Sequence, residues 1–256
     1  MEAVPEDYLR STVFLCVDEK NEQEDVSRNP KATGFWVRVP IENTRRRVDY
    51  IVTARHCIDE ARPFGKLYIR YNLKGRPYQE IPTSPDDWLQ HDAADVAAIM
   101  LTRGVLPPGV TNQDVDHTSL RMEEFVGAPP DYDVVVRRPG VEKVVQPRVG
   151  HQIFFIGLFT EQFGQERNLP VARFGHISRM PSKIAFESAG TSFDSIAYLA
   201  EFHSQGGHSG SPAFFLYPLM LETHDEDNRL LGVDLAWVSG FIGLISAHYD
   251  LVLTTT

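Results

Sequence analysis

Three short stretches hold the residues most able to do chemistry. In Tyr50-Ile-Val-Thr-Ala-Arg-His-Cys-Ile58, a run of strand-forming residues stops at His56. A histidine at a strand end faces a cleft or solvent, and an imidazole titrating near 6.5 is a usable base there. In Gly206-Gly-His-Ser-Gly-Ser-Pro212, glycines surround Ser209. They let the chain turn tightly and point two N–H groups at a developing oxyanion. In Asp95-Val-Ala-Ala-Ile-Met-Leu101, one carboxylate opens an apolar strand. A buried, hydrogen-bonded aspartate is what holds an imidazole in one tautomer. Asp92 is the alternative carboxylate. Each stretch alone has a plain reading: a structural histidine, a Gly-Ser turn, a strand-capping aspartate. Together they supply a nucleophile, a base and an orienting acid.

Such groups must be positioned by a scaffold, and the sequence describes one made of strands. Runs rich in Val, Ile, Phe and Tyr recur at 12–17, 34–39, 50–53, 67–71 and 96–101, then at 133–136, 152–156, 171–177, 196–201, 213–216 and 241–246. Turn residues punctuate them, with 17 prolines and 18 glycines spread along the chain. Short strands with few helices predict a sandwich or barrel. Short helices are expected only at the start of the chain and near 60–63. Pro107-Pro108-Gly109, Asn112 and Pro129-Pro130 mark a connector between two halves. The polar stretch 222–229 reads as a solvated turn between apolar strands.

The bulk properties narrow the function classes. The chain has 256 residues, 42% hydrophobic and 23% charged, as an ordinary globular protein of one or two domains has. Its net charge of −10 and its single short basic cluster, Arg45-Arg46-Arg47 at a turn, argue against nucleic acid as a partner. No basic patch followed by an apolar run opens the sequence, and its apolar stretches fall short of the ~18 residues a membrane helix needs. A cytoplasmic location, with no membrane partner, is expected. Cys16 and Cys57 are too few for a disulfide framework, and two free thiols are the simpler expectation.

The three motifs occur in the order His, Asp, Ser, and here the sequence resembles the chymotrypsin/trypsin-like serine proteases, closest to the disulfide-poor bacterial members. Thr53-Ala-Arg-His-Cys57 is similar to the family's Thr/Ser-Ala-x-His-Cys, Asp95-Val-Ala-Ala-Ile99 to Asp-Ile-Ala-Leu, and Gly207-His-Ser-Gly-Ser-Pro212 to Gly-Asp-Ser-Gly-Gly-Pro. Val149-Gly-His-Gln-Ile-Phe-Phe-Ile-Gly157 and Phe174-Gly-His-Ile-Ser178 resemble the opening strands of the second barrel, and Phe241-Ile-Gly-Leu-Ile-Ser-Ala-His248 the strand beside the specificity pocket. The resemblance implies an all-β fold of two antiparallel, six-stranded-type β-barrels with the active site in the cleft between them. One barrel would span 8–105, a connector 106–130, and a second barrel 131–256, which is either pruned at its end or continued in a longer protein. It implies a serine endopeptidase with the triad His56, Asp95 and Ser209, an oxyanion hole of the Gly207 and Ser209 amides, and a protein or peptide substrate. Neither cofactor nor metal is needed. By position, His203, Ser204, Ser246, Ala247 and His248 would line the substrate pocket, and the two histidines would suit an acidic residue before the scissile bond or simply hydrogen-bond locally.

The sequence also departs from the family. His208 stands where secreted trypsins carry the aspartate that pairs with a newly cut N-terminus, so activity without N-terminal processing is expected. Ser211 replaces the family's second glycine, and Ala32 and Thr33 fill the region where a cysteine partner for Cys57 would lie. Rival readings are weaker. A lipase-type Ser209, Asp234, His248 order lacks the Gly-x-Ser-x-Gly elbow and the β/α alternation. Zinc held by His203, His208 and His224 lacks ligand spacing. The stronger alternative is a trypsin-like fold that acts as a binding module, or a protease domain inactive until a regulatory protein partner docks.

Overall fold

The computed structural model describes residues 4–20, 24–41, 43–101, 106, 109–111, 113–121, 134–138, 141–188, 191–202, 206–224 and 229–246. The chain is all-β, built mainly on two antiparallel sheets. The first holds β1 (Thr12–Lys20), β2 (Val26–Pro40), β3 (Arg47–Thr53), β4 (Leu67–Leu73), β5 (Arg76–Thr83), β6 (Leu89–Gln90), β7 (Ala97–Leu101) and β8 (Leu120–Arg121). Its order is β5-β4-β1-β2-β3-β7-β6, with β8 added in parallel to β2. Two short helices, α1 (Glu6–Leu9) and α2 (Arg55–Ala61), flank it. A two-stranded ribbon follows, β9 (Val134–Arg138) and β10 (Val141–Val145). The second sheet is β11 (Gln152–Gly157), β12 (Val171–Ser188), β13 (Thr191–Phe202), β14 (Pro212–His224) and β15 (Leu230–Leu244), in the order β13-β12-β11-β14-β15. Among the described residues the two sheets hold eight and five strands, in keeping with the expected pair of antiparallel all-β units, and the strands of the second run longer than the apolar runs that betray them.

Burial explains the arrangement. Val13, Leu15 and Val17 of β1 pack with Ile51 and Ile69 inside the first sheet, while Phe14 and Cys16 on its other face meet Tyr68 and Leu158. A strand covered on both faces needs an unbroken apolar run, and Val13 through Val17 provide it. Between the sheets, Phe35 and Val37 of β2 meet Phe154 and Ile156 of β11 and Phe214 of β14. Each such side chain contributes ~1.5–3 kcal/mol by leaving water. Tyr8 of α1 stacks on Phe214 with ring centroids 4.2 Å apart, so the N-terminal helix closes this seam.

A second tie is polar. The segment after β11 crosses to the first sheet, where the Asn168 amide donates to Asn72 Oδ1 at 2.7 Å and Asn168 Nδ2 donates to the Arg70 carbonyl at 2.7 Å. The Arg70 guanidinium donates to the Gly164 carbonyl at 2.6 Å and lies 3.6 Å from the Tyr78 ring centroid. The described part of the expected connector also attaches to the first sheet, through β8 and a bridge between Leu73 and Val115. Among the described residues, no helix is long and apolar enough to cross a membrane.

Candidate active site

Strand register brings His56 to Asp95. Thr53 at the end of β3 lies opposite Ala97 at the start of β7. The chain turns out of β3 at Ala54 into α2, and His56 sits in its first turn. Asp95 lies two residues before β7, so the two side chains leave neighbouring strand ends toward each other. His56 Nδ1 and Asp95 Oδ2 are 2.7 Å apart, and the His56 backbone amide donates to Asp95 Oδ1 at 2.9 Å. The carboxylate therefore grips the histidine twice, at ring and backbone. Asp95 is 4% exposed, whereas Asp92 faces solvent.

The protonation states follow from this environment. Burial pushes the Asp95 carboxyl up, but the hydrogen bonds and charge of His56 and the hydroxyl of Ser246 outweigh it and hold its pKa below the usual carboxylate range. Burial disfavours the His56 imidazolium, yet the bond to Asp95, with help from Cys57, raises its pKa above the ordinary imidazole value. An ionised carboxylate accepts only, so Nδ1 carries the proton and Nε2 is left as the basic nitrogen. The thiol of Cys57 lies 3.6 Å from that nitrogen.

Ser209 arrives on the turn between β13 and β14, and backbone bonds hold the turn from both sides. Thr33 of β2 donates its amide to the Ser209 carbonyl at 2.9 Å. The Gly210 amide donates to the Ile245 carbonyl at 2.7 Å, and the Ile245 amide to the Ser211 carbonyl at 2.9 Å. Gly210, with φ +80°, fits where no side chain could: a Cβ there would lie 2.1 Å from the Thr33 carbonyl oxygen and 3.1 Å from the Ala54 amide. The residue after Ser209 thus rests on the strand end that launches α2 and His56. His208 is 2% exposed, set edge-on to the Phe155 ring with centroids 4.7 Å apart, and Ser211 is fully buried. Both free cysteines are buried.

No protein-family model matches the chain, and no curated protein matches it. Among solved structures, the chain is similar to the MamO protease domain from Magnetospirillum magneticum in its apo form. That likeness has 12% identity and a TM-score of 0.45, and covers 93% of each chain.

Of the residues singled out in the sequence, His56 and Asp95 are brought into contact, and Gly207 and Ser209 lie on the turn beside them. Ser246, expected to line the substrate pocket, donates its hydroxyl to Asp95 Oδ2. It follows Ile245, whose backbone is tied to the Ser209 turn, so one short segment joins the turn to the carboxylate. His203, Ser204, Ala247 and His248 lie outside the described residues. Asp234 of the lipase-type reading pairs with Leu221 far along the β14–β15 arm, ten residues from Leu244. At ~3.3 Å per residue, that is about 30 Å from the turn. Among the described residues, no cluster of three His, Cys, Asp or Glu side chains could hold a metal ion. The sequence reading missed Thr33 and Cys57 as neighbours of the site; Thr33 drew notice only as a position that is not cysteine.

Proposed function

We propose that the protein is a serine endopeptidase in which Ser209, His56 and Asp95 act as nucleophile, base and orienting acid, respectively, in the manner of a trypsin-like triad. The two-point grip of Asp95 on His56 carries this reading, because it fixes the imidazole tautomer with Nε2 as the proton-accepting nitrogen. Ser209 Oγ attacks the carbonyl carbon of a peptide bond as His56 Nε2 takes its proton. The resulting imidazolium is stabilised by the Asp95 carboxylate. The amides of Gly207 and Ser209 receive the oxyanion, a contribution of about 3–4 kcal/mol per donor in related chemistry. The tetrahedral adduct collapses as His56 returns the proton to the leaving amine, leaving an ester on Ser209. A water, deprotonated by His56, then attacks the ester and releases the acid and the free serine. Each step uses only groups of this chain, the substrate and water. Ser246 supports the reaction by stabilising the ionised form of Asp95.

The test is incubation of the purified protein and its Ser209→Ala variant with an unfolded protein substrate, with products identified by mass spectrometry. New peptide termini that appear with the native chain and vanish with the variant support the reading. Absence of cleavage by both, or equal cleavage by both, overturns it.

A further inference from the structure

Thr33 lies in β2, fully buried, at the point where β2 loses its neighbour on one side. The last β2–β3 partners are Phe35 and Val52, so the polar groups of Thr33 on that side are open to other use. All of them are engaged. The amide donates to the Ser209 carbonyl at 2.9 Å, and the carbonyl accepts the Thr53 hydroxyl at 2.7 Å. The side-chain hydroxyl donates to the Gly207 carbonyl at 2.8 Å and accepts the Leu158 amide at 2.8 Å. One residue of the first sheet therefore holds two carbonyls of the Ser209 turn and the end of β11.

The geometry matters because of which peptide planes are held. The Gly207 carbonyl belongs to the plane between residues 207 and 208, and the Ser209 carbonyl to the plane between 209 and 210. Between them lies the plane whose N–H is that of Ser209. Fixing the planes on either side restricts how that N–H can rotate. The Gly207 backbone is further confined: at φ +93° it lies so close to Leu158 that a Cβ would come within 2.8 Å of that side chain. Leu158 is itself held by the Thr33 hydroxyl. An amide donor helps an oxyanion only if it already points at it.

We propose that Thr33 is a positioning residue whose hydroxyl presets the Gly207–Ser209 turn in its anion-binding shape. The turn then needs no charge pair from a newly formed N-terminus, in keeping with the buried His208 at its centre. This rests on the peptidase reading above, which makes the Gly207 and Ser209 amides the oxyanion donors.

The experiment compares Thr33→Val, which keeps the shape and the backbone bonds but removes the hydroxyl, with Thr33→Ser, which restores it; Thr33→Ala serves if valine impairs folding. Amide hydrogen exchange is followed in peptides covering 206–211 and β1, with the rate of Ser209 labelling by a fluorophosphonate. The expected result for Thr33→Val is faster exchange confined to 206–211 and labelling at least tenfold slower, with both returned to near native values in Thr33→Ser. Native exchange and labelling in Thr33→Val would overturn the proposal, as would exchange that rises equally in β1, the mark of a merely structural role. If the native chain is not labelled at all, the peptidase reading fails, and exchange in 206–211 still decides whether Thr33 holds the turn.

Discussion

The first sheet and the arms of the second are built to different standards of dryness. In β1, every residue from Val13 to Val17 is 1% exposed or less. The roots of the second sheet are as dry at Phe154, Phe155, Phe214 and Phe215, but its long strands carry Ile196 at 56%, Met220 at 73% and Leu235 at 61% exposure. Buried apolar side chains are thus concentrated inside the first sheet and at the seam where the sheets meet, rather than along the arms. The candidate catalytic groups all lie at that dry seam: His56 and Asp95 at strand ends of the first sheet, and Ser209 on the turn entering β14. Loops positioned by a rigid scaffold are where function is usually placed, and here the scaffold is the seam rather than the arms.

This contrast can be broken or sharpened by substitution. The largest effect is expected at Asp95. Asp95→Asn leaves the shape but removes the charge, and should lower kcat by about 10⁴ in peptide hydrolysis, as loss of the orienting carboxylate does in this chemistry. Because the bond to Asp95 is the largest of the effects that raise the His56 pKa against burial, the acid limb of the pH–rate profile should also move to lower pH in the variant. A limb that stays in place would mean Asp95 does not set the base.

In the proposed mechanism, His56 must be neutral to act, so kcat/KM should rise on the alkaline side of the ordinary imidazole value of 6.5. Stability runs with the same groups. The raised His56 contributes fully below its unfolded pKa, and this is lost as pH rises through the folded value; the lowered Asp95 contributes above its unfolded value of 3.8, and this is lost as pH falls through the folded one. Melting temperature followed across pH checks both directions.

Next in size is the core itself. Phe14→Ala should cost about 3–5 kcal/mol in denaturant unfolding, since the cavity opens where both faces of β1 are packed. Ser246→Ala removes one hydrogen bond to a carboxylate, worth about 1.5 kcal/mol, and should lower kcat roughly tenfold. The smallest effect is expected on the arm: Leu235→Ala should change stability by no more than about 0.5 kcal/mol. Equal costs at Phe14 and Leu235 would erase the contrast between seam and arm.

Much of the fold was legible because its strands are written in apolar runs: each run marked in the sequence falls in or overlaps a strand of the structure. The strand β5 was not, since Arg76, Pro77, Glu80 and Pro82 interrupt the pattern. As an edge strand, it has one side where missing N–H groups cost nothing. Ser246 was taken as part of a strand lining the pocket. β15 instead ends at Leu244, and the bonds of Ile245 to the Ser209 turn carry Ser246 to Asp95. The contacts between Asn72 and Asn168 join residues remote in sequence through polar side chains, which leave no periodic signal. His56, Asp95 and Ser209 stood out as candidates because their immediate neighbours are unusual: a strand halted at a histidine, a carboxylate at the mouth of an apolar run, glycines crowding a serine; of their mutual placement, the contact of His56 with Asp95 is the part the structure shows.

The central claim is that Ser209 is an activated nucleophile. Reaction of the intact protein with a fluorophosphonate, followed by intact mass and peptide mapping, tests it most directly, with Ser209→Ala and His56→Ala alongside. The account predicts one adduct per chain, on Ser209, absent from the first variant and strongly slowed in the second. An unlabelled native chain, or an adduct on another residue that survives Ser209→Ala, would contradict it.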